Sequence, residues 1–221
     1  KLRPHPFRRP HETPGDVALQ PDQRPPYAEL CITSNYTFLT GAGHPEEFIE
    51  QAAALGYRAV GLTDTHTLAG VVRAHVAARD AGLRFVLGTR LNPADLDGLS
   101  ICVYPTDMPA YRRLCRMLTI GKRRVAKGQC HLVLEDLQAH AEGLLAIALP
   151  RTPADPALPA VLGNLREIYD DDRLSLGASV AYGHDDADRL ARLDELSRAA
   201  GVPLVATNDA HAHAPDRRML Q

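Results

Sequence analysis

Residues 58–91 read RAVGLTDTHTLAGVVRAHVAARDAGLRFVLGTRL, and this stretch decides the fold class. Its first six residues form a short apolar run that predicts a strand. Thr67 can cap the helix that follows, whose apolar residues recur at helical spacing until Gly82 ends it. A second apolar run, at 84–91, predicts another strand. A strand, a helix and a strand in this order predict a parallel pair joined by a right-handed crossover.

The rest of the chain continues the alternation. Strands are predicted over 27–32, 58–63, 84–91, 99–104, 144–149, 173–180 and 202–207, and further helices over 45–55, 107–118, 134–141, 156–166 and 184–200. Strands that mostly alternate with helices indicate an α/β protein with a parallel sheet. A chain of this length favours a small (β/α) barrel over a large open sheet, and a doubly wound open sheet is the alternative.

The composition is typical of a globular protein with a full core. The 221 residues are 45% hydrophobic and 24% charged, with a formal net charge of −2, which neither favours nor excludes a polyanionic partner. No apolar run reaches the roughly 20 residues that a membrane helix needs, and no signal-peptide pattern is visible. The four cysteines form no CxxC motif, so we expect reduced thiols in a cytoplasmic protein without a membrane partner.

The two ends of the chain differ from the rest. Residues 1–26 are rich in proline, which predicts an extended arm rather than a packed element. The chain lacks an initial Met, and its last five residues, RRMLQ, are typical of the opening of a helix. We therefore expect a piece of a longer polypeptide, with a Pro-rich arm over 1–26 and one domain over 27–221.

Polar side chains follow several of the predicted strands. In a parallel barrel such strand-end residues meet at one mouth, where function resides. Because residues two apart on a strand face the same side, each of two pairs could point together into this mouth. The alternative for an isolated Asp is that it caps a loop. The candidates are Cys31 and Thr33, Asp64 with Thr65 and His66, Arg90, and Asp209 with His211.

Four segments carry a family resemblance: YAELCITSNYTFLTGA at 27–42, LTDT at 62–65, GTR at 88–90 and ATNDAH at 206–211. They resemble the motifs of the PHP (polymerase and histidinol phosphatase) domain that opens bacterial DNA polymerase III alpha-type enzymes. Residues 103–132 resemble the error-prone branch of these enzymes, which acts in damage-induced translesion synthesis. The resemblance implies a distorted, TIM-like (β/α)7 barrel, the PHP fold.

The resemblance also implies a degenerate metal site. Metal-binding members have His-x-His where this chain has Cys31 and Thr33, Asp-His where it has Asp64 and Thr65, and a glutamate where it has Arg90. Asp64, Asp209 and His211 match the family and could hold a single metal ion, which is the alternative to an inert cleft. His184 lies near another possible ligand position.

A guanidinium cannot coordinate a metal, so Arg90 is the decisive departure from the family. Our hypothesis is that it replaces the positive charge of the metal and bridges Asp64 or Asp209. Its removal is then predicted to cost roughly 3–5 kcal/mol of stability.

A basic segment is the second candidate site. No Asp or Glu occurs between residues 108 and 134, and Lys122, Arg123, Arg124 and Lys127 lie around a predicted loop. Such a loop could contact the DNA phosphate backbone. A solvated face, or a contact with the rest of a polymerase, are the alternatives.

The resemblance implies that the parent protein is a DNA-directed DNA polymerase, a nucleotidyltransferase that uses deoxynucleoside triphosphates and Mg²⁺ in DNA repair and replication past lesions. This chain is then expected to have no catalytic residue and no cofactor of its own. Its expected partners are the rest of the polymerase, DNA and accessory translesion proteins. The alternative is a residual phosphoesterase or a proofreading 3′–5′ exonuclease.

Overall fold

The computed structural model describes residues 25–170, 172–180 and 182–220, so most of the predicted arm lies outside the described residues. The strands are β1 (Ala28–Ile32), β2 (Ala59–Leu62), β3 (Arg84–Leu87), β4 (Thr89–Leu91), β5 (Leu99–Pro105), β6 (Leu144–Pro150), β7 (Leu174–Ala178) and β8 (Leu204–Ala206). The helices are α1 (Pro45–Ala54), α2 (Val71–Asp80), α3 (Met108–Arg123), α4 (Leu134–His140), α5 (Leu158–Ile168) and α6 (Asp186–Ala200), followed by a 3₁₀ helix (Pro215–Leu220). All seven predicted strand regions contain a strand, and the mixed α/β class is confirmed.

The strands form two sheets. The first is parallel, in the order β1-β2-β3. The second has the order β4-β5-β6-β7-β8; its β4, β5 and β6 are antiparallel neighbours, and only β6, β7 and β8 run parallel. The prediction of a parallel sheet throughout was therefore wrong. Between β4 and β5 the chain has no helix to carry it back across the sheet, so it reverses direction.

The predicted strand at 84–91 is in fact two strands, and Gly88 is where the chain passes from one sheet to the other. A Cβ atom at Gly88 would lie 2.7 Å from the ring of Tyr104. Only glycine fits this close approach of the backbone to an aromatic side chain. The pattern of apolar residues runs unbroken across Gly88, which is why the sequence predicts one strand there.

Isolated bridges connect the sheets at both edges of the fold. Ile32 at the end of β1 bridges to Ala210 beyond β8, and Thr65 beyond β2 bridges to Arg90 on β4. Tyr104 on β5 also donates a hydrogen bond to the carbonyl of Leu30 on β1, at 2.9 Å. The described strands form no closed sheet, but these contacts hold the ends of the two sheets next to each other.

Three apolar clusters hold the elements in place. The largest lies between the second sheet and helices α3 to α6, and a second joins β1 and β2 to α1 and α2. A small third cluster connects the two sheets and contains Cys31, Cys102, Tyr104 and Ile147. Among the described residues, no helix is long and apolar enough to cross a membrane.

Two helix boundaries differ from the sequence prediction. Helix α2 begins at Val71, after Gly70, and the Thr67 hydroxyl instead accepts from the backbone N–H of Ala69 in the preceding turn. Helix α3 begins as predicted, because the Asp107 carboxylate caps it by accepting from the N–H of Ala110 at 2.7 Å. It continues to Arg123, so half of the predicted basic loop is helical.

Candidate functional site

Asp64 follows β2 and is held entirely by neutral donors. Its Oδ1 accepts from the backbone N–H of Ser34 at 2.8 Å and from the hydroxyl of Thr37 at 2.9 Å, and its Oδ2 accepts from the hydroxyl of Ser34 at 2.8 Å. Burial raises the pKa of Asp64, and these hydrogen bonds only partly offset the increase. The carboxylate therefore orders the loop between β1 and α1.

Arg90 is the middle residue of β4, and its guanidinium pairs with the carboxylate of Asp209. The side chain of Arg90 is 10% exposed and that of Asp209 is 31% exposed. Of the two partners considered for Arg90, the structure places Asp209 in contact; Asp64 is bound to the Ser34 and Thr37 donors instead. Charge-assisted hydrogen bonds of this kind are among the strongest in proteins.

Several contacts and an unusual backbone conformation fix the position of Asp209. Its backbone has φ of 46°, in the left-handed region that few non-glycine residues adopt, and its N–H donates to the Thr207 hydroxyl at 3.0 Å. His211 Nε2 lies 3.5 Å from its carboxylate. Burial alone would raise the pKa of Asp209, but the hydrogen bond from His211 and the charge of Arg90 outweigh burial and hold it at about 2.

Cys31 and Thr33, which the sequence resemblance compared with a His-x-His pair, are both buried. The Cys31 sulfur lies 3.6 Å from the hydroxyl of Tyr104 in the cluster between the sheets. A hydrogen bond to Cys102, and then burial, raise the pKa of Cys31, so it remains a neutral thiol. The Thr33 hydroxyl has no hydrogen-bond partner within the described residues.

The remaining candidate residues are spread around the mouth. Thr65 pairs with Arg90 through the isolated bridge, and its N–H donates to the Thr37 hydroxyl at 2.9 Å. The ring of His66 faces a neighbouring groove, where its Nε2 accepts from the N–H of Asn92 at 3.0 Å. His184 is exposed on the loop before α6.

A cavity of about 590 Å³ opens at this mouth. Thr65, Arg90 and Asp209 line it, together with Thr37 and Arg189; the other candidate residues do not. Over residues 25–170, 172–180 and 182–220, no three His, Cys, Asp or Glu side chains are grouped so that they could hold a metal ion.

Glu29 is a structurally important residue that sequence reasoning missed. It is buried on β1, and its carboxylate accepts from the N–H of Cys31 (2.9 Å), the hydroxyl of Thr207 (2.6 Å), the N–H of Asn208 (2.7 Å) and the hydroxyl of Tyr27 (2.8 Å). It thereby joins β1 to the segment that carries Asp209. An acidic residue inside an otherwise apolar strand was the available signal.

The basic segment separates into residues of different kinds. Lys122 and Arg123 lie exposed on the last turn of α3, and Lys127 is exposed in the loop after it. The guanidinium of Arg124 instead forms a paired contact with the carboxylate of Asp136, one hydrogen bond of which is 2.8 Å long. Arg124 therefore holds the loop to α4.

Comparison with known proteins decides the family, because the PHP domain family matches residues 29–196. The chain belongs to the PHP domain family. The resemblance seen in the sequence is confirmed.

The PHP domain is similar to proteins named error-prone DNA polymerase. It is 47% identical over 204 residues to the one from Caulobacter vibrioides, covering 90% of this chain. It is 44% identical over 198 residues to error-prone DNA polymerase 1 of Agrobacterium fabrum, covering 89% of this chain. The chain spans 18% of the length of each relative.

Two solved structures share the fold of this PHP domain. One is assigned as a metal-dependent phosphoesterase from Bifidobacterium adolescentis; its TM-score is 0.62 at 15% identity, with 87% of this chain and 90% of that chain covered. The other is an amidohydrolase from Chromobacterium violaceum with bound sulfate and no metal; its TM-score is 0.60 at 17% identity, with 84% and 87% covered. At these identities the likeness concerns the fold alone.

Proposed function

We propose that this chain is the N-terminal PHP domain of an error-prone DNA polymerase and that it serves the polymerase as a non-catalytic structural domain. The identity of 39–47% to proteins of that name supports the assignment. The parent polymerase extends primers across DNA lesions from deoxynucleoside triphosphates with Mg²⁺, in the cytoplasm. The partners of this domain are the rest of the polymerase and accessory translesion proteins.

The Arg90–Asp209 ion pair is the observation that carries the non-catalytic role. A divalent cation needs several free anionic or imidazole ligands. Here a fixed cation already contacts one of the two carboxylates, and three neutral donors bind the other. The Cys31 thiol is held neutral. As arranged, these residues do not fit a metal ion, and we derive no metal-dependent step from them.

The structural role follows from the way the two sheets meet. The bridges at Ile32 and Thr65 and the Tyr104–Leu30 hydrogen bond support a distorted, TIM-like barrel of the (β/α)7 type that is incompletely closed. Four hydrogen bonds to the buried Glu29 carboxylate strengthen one edge of this barrel. A rigid barrel of this kind is suited to bracing an adjoining polymerase core.

Metal analysis of the purified chain, together with nuclease assays, tests the proposal. We expect substoichiometric zinc, manganese and iron, and no phosphoesterase or 3′–5′ exonuclease activity with added Mn²⁺ beyond that of an Asp209→Ala control. Stoichiometric metal together with a nuclease activity that Asp209→Ala abolishes would instead establish the residual-enzyme alternative.

The polymerase assignment has a separate test. A full-length polymerase that carries this domain should extend a primer across an abasic site when Mg²⁺ is present. Failure to extend even undamaged templates contradicts the assignment.

A further inference from the structure

A groove of about 990 Å³ lies beside the mouth and is not used by the proposed structural role. Its walls come from the loop after β1, the turn after β2, and the end of α3 with the loop that follows. The residues lining it include aromatic, hydroxyl and basic side chains but no Asp or Glu: Tyr36, Thr37, Phe38, Thr65, His66, Thr67, Lys122, Val125, Lys127, Gly128, Gln129, Cys130 and His131.

Phe38 gives this groove an aromatic face that is open to solvent. Its side chain is 84% exposed, and the adjacent Leu39 is 83% exposed. Exposed apolar residues that lie together are common at interaction sites. Exposure of an aromatic ring costs free energy that a stacked ligand would recover.

The turn that presents Phe38 is firmly held. The N–H of Thr37 donates to the Ser34 carbonyl at 2.9 Å, and those of Thr40 and Gly41 donate to the Thr37 carbonyl, each at 3.1 Å. The Thr37 hydroxyl donates to the buried carboxylate of Asp64. Asp64, one of the residues that match metal ligands in the family, thus fixes the turn that presents Phe38.

Lys122, on the last turn of α3, and Lys127, in the loop after it, bring positive charge to the groove. Both are exposed, and neither has a carboxylate partner among the described salt bridges. Lys122 and His66 line the same groove.

We propose that this groove binds single-stranded DNA, with a base stacked on Phe38 and the phosphates held by Lys122 and Lys127. Charge complementarity favours a polyanion, because the lining has two lysines and no acidic residue. The open ring favours an unpaired base over a duplex, whose bases are already stacked on each other. The choice of DNA rests on the proposed function as a polymerase domain.

Fluorescence anisotropy with a labelled oligothymidylate tests the site directly on the 221-residue chain. Phe38→Leu keeps an apolar side chain but removes the aromatic face, and it should weaken binding about tenfold. Phe38→Tyr keeps the ring and should bind like the wild type. Because Phe38 is exposed, neither change is expected to affect folding.

The salt dependence of binding tests the lysines. Lys122→Gln and Lys127→Gln should each reduce the slope of log affinity against log salt by about 0.7, the value for one phosphate contact on a single strand. Arg112→Gln removes an exposed cation from α3 outside the groove lining and is the matched control, which should leave both affinity and slope unchanged.

The proposal is overturned by no oligothymidylate binding at low salt, by equal affinity for the wild type and Phe38→Leu, or by an equal loss with Arg112→Gln. A labelled duplex or an acidic peptide that binds as tightly as the single strand would also overturn it, the peptide result pointing to a protein partner. These results are independent of the metal analysis. If DNA bound at the mouth as a nuclease substrate, its affinity would change with Asp209→Ala and not with Phe38→Leu. The two proposals can therefore fail separately.

Discussion

Replacing Arg90 by Met removes the cation from the mouth while keeping much of the apolar side-chain volume. The scale of the loss follows from Asp209, whose pKa falls from 3.8 to about 2 in the folded protein. At 1.36 kcal/mol per pKa unit this corresponds to about 2 kcal/mol, the net of an opposing effect of burial and the favourable effects of His211 and Arg90. We therefore expect Arg90→Met to cost about 2 kcal/mol at neutral pH.

This value is below the roughly 3–5 kcal/mol expected from the sequence for a fully buried pair. The difference arises because the side chain of Asp209 is 31% exposed, so water screens the carboxylate that loses its partner. In thermal unfolding followed by far-UV circular dichroism, the midpoint should fall by about 4–8 °C for a protein of this size. Adding Asp209→Asn to Arg90→Met should recover most of this loss, because no buried charge then lacks a partner.

The stabilisation by the Arg90–Asp209 pair is expected to depend on pH. The pKa of Asp209 is lower in the folded than in the unfolded protein, so the pair stabilises fully above pH 3.8 and its contribution is lost as the pH falls toward 2. The difference between the wild type and Arg90→Met should therefore be constant from pH 5 to 7 and shrink in acid. In Arg79→Met the lost pair is exposed on both sides, 67% and 63%, and this control should show little change. A loss below about 0.5 kcal/mol for Arg90→Met, or one that does not vary between pH 5 and 2, refutes the reasoning.

Three further predictions concern the other buried polar groups. Asp64→Asn should be neutral or stabilising at pH 7, because burial raises the pKa of this carboxylate and the rotatable Ser34 hydroxyl can accept from the new amide; in urea unfolding the advantage over the wild type should shrink as the pH falls toward 3.8 and be absent below it, and a large destabilisation at pH 7 contradicts this. Glu29→Gln should cost about 2 kcal/mol in the same assay, since an amide nitrogen would face backbone or hydroxyl donors, and a neutral effect would show that the four hydrogen bonds are not formed in solution. Arg124→Gln should lower the melting temperature but leave oligothymidylate affinity unchanged, because Arg124 is paired with Asp136; reduced affinity without destabilisation would place Arg124 in the DNA site instead.

Periodicity and turn residues were sufficient to predict most of the fold. The unit from Arg58 to Leu91 shows both the success and its limit. Apolar runs located both strands and the helix between them, because burial of alternate faces is a local property of the sequence. The division at Gly88 depends on the ring of Tyr104, which is far along the chain, and local patterns contain no information on such a contact.

The sequence predicted which residues lie at the candidate site, but not which of them contact each other. Strand-end reasoning and the family resemblance brought Arg90 and Asp209 to the same mouth, where the structure pairs them. The same reasoning allowed Arg90 to bridge Asp64, whose carboxylate is instead bound by Ser34 and Thr37. These donors come from a loop whose path depends on tertiary contacts, so their role could not be read from spacing.

The ion pair at the mouth also constrains how this cleft can change during evolution. A single substitution of Arg90 by Glu would place two carboxylates against each other with no cation between them, and like charges at contact distance destabilise a fold. A ligand set for a metal would further require imidazoles at the positions of Cys31 and Thr33, inside a packed interior. Each step taken alone lowers stability before a bound metal can restore it. To gain metal ligands at this mouth, the chain would therefore have to change several paired or buried residues together rather than one at a time.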